Sequence, residues 1–313
     1  MTKAYVRPDV EAFLNFLNNV PGPKMHEVTP VEARAQMRMM GVVAELPVGD
    51  LAVIRDLEIP GPAGMILARL YDPRETRDAG PVMVFYHGGG FVIGDLETHG
   101  PYCAEAARQL DMPVISIDYR LAPEHPFPAA PEDCEAATRW VAENIPCTGL
   151  ILSGDSAGGN LTVVTAMALR DEPAAVPVIA QNPIYPFVSL SEDWDSFRDF
   201  ADGFLLSTDG MIWFGDAYAS TPEDRRAAPL SHDHSGLPPT VVMTASLDPL
   251  HDQGVAYVAA LEAAGVHVRH VEADGNIHGL INLRKIIPSA QEDLTRNLDV
   301  LKAVLAEVVM APA

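Results

Sequence analysis

Leu150-Ile151-Leu152-Ser153-Gly154-Asp155-Ser156-Ala157-Gly158-Gly159-Asn160 is the stretch that decides the fold. An apolar run ends in a serine flanked by glycines, and a segment of helical period, Asn160 to Arg170, follows at once. A G-x-S-x-G between strand and helix is a nucleophile turn. The sharp bend lifts the serine hydroxyl above a sheet, and the strained backbone leaves room only for small neighbours. The helix that follows aims its amino end at the same point and favours negative charge there. Its rival is a glycine-rich turn without chemistry. With glycine at ~7% of residues, the bare pattern arises by chance in under about a tenth of chains this long, and the strand-turn-helix setting cuts that further.

Working outward, short apolar runs alternate with segments of helical period: Val82 to Tyr86, Val114 to Ile117, Leu150 to Leu152, Val178 to Gln181, Val241 to Thr244 and Val266 to Val271. That rhythm predicts an α/β fold, a mostly parallel central sheet of about eight strands flanked by helices. A hairpin, Val53 to Ile59 and Met65 to Tyr71 around Pro60-Gly61-Pro62, precedes it. The first fifty residues read as helices, with Val10, Phe13, Leu14 and Leu17 on one face and Thr29 capping a second helix that has Pro30 at its first position. Residues 189–235 break the rhythm with a polar stretch bearing Trp194, Trp213, Phe214 and Tyr218. A last helix opens near Pro288 and repeats Leu294, Leu298, Leu301, Leu305 and Val308 on one face. The expected organisation is a cap segment at 1–50, core at 51–188, an insertion contributing to the cap at 189–235, and core again at 236–313.

Composition removes several function classes. The 313 residues are 48% hydrophobic and 20% charged, enough apolar material for a large core, which excludes disorder and fibrous folds. Twenty-one basic against 43 acidic residues leave a net charge of -22. Neither nucleic acid nor an anionic membrane is an expected partner, since no window clusters Lys and Arg. Of the cations, 17 are Arg and 4 are Lys, a bias that salt adaptation and codon composition explain equally well. Cys103, Cys134 and Cys147 are too few and scattered for a disulfide framework. With no signal-peptide pattern and no run of 18 apolar residues, a soluble, cytoplasmic protein is expected.

A serine hydroxyl needs a base and a site for the oxyanion. His87-Gly88-Gly89-Gly90 follows the strand Val82 to Tyr86, and the bare backbone there can converge N–H groups on a small anion. Gly88 and Gly89, with Ala157, are the expected donors. A phosphate-cradling loop fits poorly, because the glycines have neither dinucleotide nor Walker spacing. Asp248 follows the strand Val241 to Thr244, and His278 lies in a loop after the last strand. Ser156, Asp248, His278 is the chain order of α/β hydrolases. The other histidines have simpler readings. His232 and His234 around Asp233, and His251 with Asp252, read as loop residues and helix caps; His267 and His270 belong to a strand; His99 and His125 are candidates to line a pocket. No metal or cofactor is implied.

The blocks His87-Gly88-Gly89-Gly90-Phe91, Asp118 to Ala130, Gly154-Asp155-Ser156-Ala157-Gly158-Gly159 and Asp248-Pro249-Leu250 together resemble the hormone-sensitive-lipase family of bacterial esterases, family IV. The likeness runs from about residue 50 to 310 and includes Asp202 to Leu206 and Gly236 to Pro239. It implies a serine carboxylesterase with Ser156 as nucleophile, His278 as base, Asp248 as orienting carboxylate, and Gly88, Gly89 and Ala157 as oxyanion donors, beneath an amino-terminal helical cap. Asn276 and His251 depart from the family's usual apolar residue and arginine. The likeness admits a homodimer, which no motif specifies. An amidase or peptidase stays open because such a triad does not name the leaving group; a ligand-binding protein on the same fold, like the plant gibberellin receptors, is disfavoured by the presence of His278. Within the blocks, Arg120 is expected to pair with Glu124 beneath the oxyanion loop as scaffold rather than in direct catalysis, and Asp155 reads as a loop-orienting hydrogen-bond acceptor rather than a second base. Met37, Met39, Met40 and Phe13 either line an adaptable acyl pocket or simply pack the cap.

Overall fold

The computed structural model describes residues 4–310; the outer ends of the first and last expected segments, 1–3 and 311–313, lie outside the described residues. One eight-stranded sheet organises the chain, in the order β1-β2-β4-β3-β5-β6-β7-β8. Its strands are β1 (Val53–Gly61), β2 (Gly64–Asp72), β3 (Gly80–Tyr86), β4 (Val114–Asp118), β5 (Cys147–Asp155), β6 (Val178–Ile184), β7 (Thr240–Leu247) and β8 (Val268–Ile277). β1, β2 and β4 pair antiparallel, and every other neighbouring pair is parallel. Parallel strands must be joined by crossovers, which explains the strand-helix rhythm of the sequence. The hairpin turn falls at Pro62-Ala63, later than expected, because Pro60 pairs within β1. That strand is at the sheet edge, where a missing N–H is tolerated.

Helices α1 (Pro8–Asn19) and α2 (Pro30–Ala44) precede the sheet. Thr29 caps α2 and its backbone N–H donates to Glu32, a reciprocal capping box. α3 (Leu96–Leu110), α4 (Ala129–Asn144), α5 (Ala157–Asp171), α8 (His251–Ala263) and α9 (Ser289–Met310) cover the sheet, and α6 (Asp195–Asp199) and α7 (Thr208–Tyr218) lie in the segment that breaks the rhythm. Two apolar layers result. One holds Phe85, Met243, Leu294, Leu298 and Leu301; the other holds Val84, Ile115, Leu152 and Leu161. β3 and β5 supply alternate residues to both, as central strands covered on two faces must. Among the described residues no helix is long and apolar enough to cross a membrane.

β8 runs six residues past Val271, through Glu272, Asp274, Gly275 and Asn276, a stretch whose polarity reads as loop. Tertiary partners satisfy it. Gly275 N–H donates to Ser246 Oγ at 2.7 Å, its carbonyl accepts from Arg7 N–H at 3.2 Å, and Asn276 Nδ2 donates to Asp293 at 3.0 Å. His278 therefore stands directly at the carboxyl end of a strand.

The amino-terminal helices are tied down by discrete polar contacts. Glu45, just beyond α2, and Arg284 form a buried pair, Arg284 Nε donating to Oε1 at 2.8 Å and Arg284 N–H to Oε2 at 3.1 Å. Arg34 donates to the Val92 and Ala122 carbonyls at 2.8 and 2.9 Å and forks onto Glu124. That last contact corrects an expectation. Arg120 grips Asp133 of α4 instead, with Nε and Nη2 at 2.8 and 2.7 Å, because the buried Asp133 carboxylate also accepts the Arg120 backbone N–H at 3.0 Å while Glu124 faces α2. The methionines of α2 also divide: Met40 packs on one apolar layer, Met37 on the other, Met39 is exposed, and Phe13 is buried in the core.

Candidate active site

Four chain segments meet at the carboxyl ends of parallel strands, the place where open α/β sheets carry their sites. Ser156 follows β5 and precedes α5 with φ 57° and ψ -117°, a conformation an L-residue adopts only under strain. Its N–H donates to Ile184 O at 2.9 Å, and its carbonyl accepts from Phe187 and Asn160 N–H, both at 3.1 Å. The turn also needs Gly158 as it stands, since a side chain there would strike the Tyr86 carbonyl of the neighbouring strand. The motif's small residues are thus a steric requirement.

His278 Nε2 lies 2.9 Å from Ser156 Oγ, and its Nδ1 lies 2.6 Å from Asp248 Oδ2. Asp248 is wholly buried and His278 8% exposed. Asp248 Oδ1 accepts the Leu250 N–H at 2.8 Å, which fixes the carboxylate. With Nδ1–H donated to that carboxylate, the Nε2 lone pair is directed at the serine hydroxyl. Three residues separated by up to 122 positions are therefore joined in one hydrogen-bonded chain.

The glycine turn after β3 divides its donors. Gly88 N–H donates to Asp155 Oδ1 at 2.7 Å and is occupied. Gly89 and Gly90 both have positive φ, 116° and 59°. Among the described residues neither their N–H groups nor that of Ala157 has an acceptor. Phe214 of α7 packs on Gly90, where a side chain would collide with its ring; a side chain at Gly279 would meet Leu205 Cδ2 at 3.6 Å. The segment 189–235 therefore reaches both the glycine turn and the histidine turn.

Of the other residues near the site, Tyr185 carries no sequence signal. Tyr185, also at positive φ (32°), is buried with its ring centroid 4.6 Å from that of His278. His99 is wholly buried behind the glycine turn and lines no open pocket. His87 is buried as well; burial, then the charge of His99, pushes its imidazole down to about 4. His251 is raised to about 9 by Glu272, against the opposing effect of burial and with help from Asp252. No group of three His, Cys, Asp or Glu among the described residues is arranged to hold a metal ion.

Comparison with known proteins follows the same lines. Residues 83–282 match the profile of the α/β-hydrolase fold. Esterase LipI of Mycobacterium tuberculosis is 39% identical over 268 residues, covering 82% of this chain and 83% of the relative. Ethyl acetate hydrolase of Pseudomonas putida is 33% identical and covers 95% and 98%. Among solved structures, a hyperthermophilic esterase from Pyrobaculum calidifontis superposes with TM-score 0.89 at 35% identity, covering 97% of this chain and 99% of that one. A thermostable Pseudomonas putida esterase gives 0.91 at 30%, with the same coverage. With this sheet order, this nucleophile turn and these relatives, the chain belongs to the α/β-hydrolase fold family, in its hormone-sensitive-lipase-like esterase branch.

Proposed function

We propose that this esterase hydrolyses short- to medium-chain carboxylic esters through an acyl-enzyme on Ser156, with His278 as general base and acid and Asp248 orienting it. One observation carries the reading: the continuous chain Ser156 Oγ, His278 Nε2, His278 Nδ1, Asp248 Oδ2, at 2.9 and 2.6 Å. His278 takes the hydroxyl proton as Ser156 Oγ attacks the ester carbonyl carbon, and Asp248 stabilises the imidazolium that forms. The tetrahedral intermediate collapses, the C–O bond to the alcohol breaks, and His278 returns the proton to the leaving oxygen. Water then attacks the acyl carbon, giving its proton to His278; the bond from the acyl carbon to Ser156 Oγ breaks, His278 returns the proton to Oγ, and the carboxylic acid leaves.

The oxyanion is assigned here to Gly89, Gly90 and Ala157. Gly88, expected as a donor, already spends its one N–H on Asp155, and a single N–H cannot serve a buried carboxylate and an oxyanion together. Gly90 takes its place because, among the described residues, its N–H has no acceptor.

The amino-terminal helices and the 189–235 segment act as the cap. Asn18 Nδ2 donates to Gly203 O at 3.0 Å, which joins the two parts, and the approach of Leu205 and Phe214 to the histidine and glycine turns supports a narrow acyl space. Three unpaired cysteines, two of them buried, fit a reducing compartment. Aryl esters of increasing acyl length, run on the native enzyme and Ser156→Ala together, test the reading. The variant is expected to lose ~10⁴-fold or more in kcat without loss of fold. Full turnover by Ser156→Ala overturns it, and an optimum at long acyl chains overturns the narrow cap.

A further inference from the structure

Asp155 performs no step in the reaction above, yet three parts of the site converge on its buried carboxylate. Oδ1 accepts the Gly88 N–H at 2.7 Å and faces His99 Nε2 at 3.3 Å. Oδ2 accepts the Tyr185 hydroxyl at 3.4 Å. Each partner leads to a different catalytic element. Gly88 precedes Gly89 and Gly90, the free donors of the glycine turn. Tyr185 lies against the His278 ring. The same Nε2 of His99, in the first turn of α3, stands 2.9 Å from the side-chain amide of Asn282, four residues beyond His278; with its one proton turned to Asp155, that amide meets it through its oxygen. Asp155 is itself bonded to Ser156. One carboxylate thus touches the nucleophile turn, the oxyanion turn and the support of the catalytic histidine.

The electrostatics agree with a charged anchor. Burial by itself would raise the Asp155 carboxyl, but His99 first, then His278 and the Gly88 N–H, outweigh it and hold the group below the ordinary carboxylate range. A buried carboxylate is a costly way to satisfy one N–H if packing were its only task. An oxyanion site, by contrast, works only if its donors are fixed before the charge develops, because stabilisation falls steeply with misplacement.

We propose that His99 and Asp155 form a second histidine–carboxylate pair that takes no part in bond making, and instead positions the oxyanion donors against Ser156 by holding the Gly88 N–H. His99 orients Asp155, Asp155 holds Gly88, and the free N–H groups of Gly89 and Gly90 follow. Both are positioning residues. The pair governs stabilisation of the tetrahedral intermediate and leaves ester binding alone. This rests on Ser156 being the nucleophile.

The test compares native enzyme, Ser156→Ala, Asp155→Ala, Asp155→Asn, His99→Gln and the double variant Asp155→Asn/His99→Gln. kcat and KM are measured on p-nitrophenyl butyrate, together with Ki for an aryl trifluoromethyl ketone, whose adduct with Ser156 places an oxyanion in the same donors. Asp155→Ala is expected to lose ~100-fold in kcat, the scale of one lost oxyanion donor, with KM within ~3-fold. Asp155→Asn keeps an acceptor for Gly88 and recovers ~10-fold of that; His99→Gln loses ~10-fold; the double variant loses less than the product of the single losses, as residues in one network do. Ketone affinity falls by the same factor as kcat/KM. Wild-type kcat in the folded variants, a loss confined to KM, or unchanged ketone affinity beside a lowered kcat each overturns the proposal. If Asp155→Ala does not fold, Asp155→Asn and His99→Gln decide by the same criteria. Turnover by Ser156→Ala would defeat the serine reading itself; an inactive Ser156→Ala beside fully active Asp155 and His99 variants defeats the positioning pair alone.

Discussion

The strand ends that carry Ser156, Asp248 and His278 and the segments proposed as their cap are held by different physics. At the strand ends, position is set by backbone pairing across the sheet and by buried hydrogen bonds among protein groups, Asp248 being wholly buried. The proposed cap has Val10, Phe13 and Leu14 in the core and is otherwise held by discrete contacts: the Glu45–Arg284 pair and the Arg34 fork to the core, and Asn18 on Gly203 and Lys24 on Asp202 at 3.0 Å between its own two parts. Between those points it leaves Phe16, Val31, Met39, Val42 and Ile212 exposed. Chemistry needs donors and acceptors placed within fractions of an ångström, which strands and a packed core supply. A cover that shapes access needs only to stay attached.

The largest effect that would break this contrast lies in the core. Asp248→Asn should cost ~10⁴-fold in kcat by reversing the histidine tautomer while leaving the fold intact; steady-state kinetics beside circular dichroism would show it, and a small loss would mean that Asp248 does not set the imidazole. Next comes the cover's principal tie. Glu45→Ala leaves the Arg284 guanidinium, 1% exposed, without its partner, and should destabilise the protein by about 3–5 kcal/mol. Urea unfolding measures this; a value below 1 kcal/mol would mean that the pair does not anchor the amino-terminal helices.

A smaller, pH-dependent effect belongs to the seam between the regions. His251 opens α8, its Nε2 lies 3.1 Å from Glu272 and its Nδ1 3.0 Å from Asp252, and Asp252 in turn accepts the Ser196 N–H of α6 at 2.9 Å. His270 and Thr244 complete the surroundings of Glu272. Folding raises His251 from the ordinary value of 6.5 to about 9, Glu272 being the main cause. Its stabilisation is therefore complete below pH 6.5 and is lost as pH rises through about 9. His251→Gln should be less stable than the native protein at pH 6 and equal to it at pH 10; a gap independent of pH would remove the ion pairs as the cause. The smallest effect is expected on the open face of α2. Val42→Ser, at a residue 75% exposed, should change stability by less than about 0.5 kcal/mol and leave the acyl-length profile unaltered. A shift in that profile would show that this face takes part in access to the site.

Much of this is legible in the sequence. The G-x-S-x-G at 154–158 announces strand, turn and helix together because only small residues fit that bend, and the alternation of apolar runs follows from parallel pairing. Polar strands were harder. The carboxyl half of β8 looks like loop until Ser246, Arg7 and Asp293 are found satisfying it. Arg120 and Glu124, four residues apart, looked like partners, and each is claimed from elsewhere, by Asp133 and Arg34.

What the sequence determined by itself was the fold class and the order Ser156, Asp248, His278, since these depend on local steric demands and on which strand each residue follows. Tertiary structure alone decided which glycine N–H groups stay free. Gly88 loses its donor to Asp155, 67 residues away. Hydrogen-bond capacity is finite and buried acceptors compete for it, so the outcome depends on neighbours that spacing along the chain cannot reveal. The same holds for Tyr185 and His99. Tyr185 carries no local mark and His99 reads only as a pocket candidate; both acquire a role only because folding places them against His278 and Asp155.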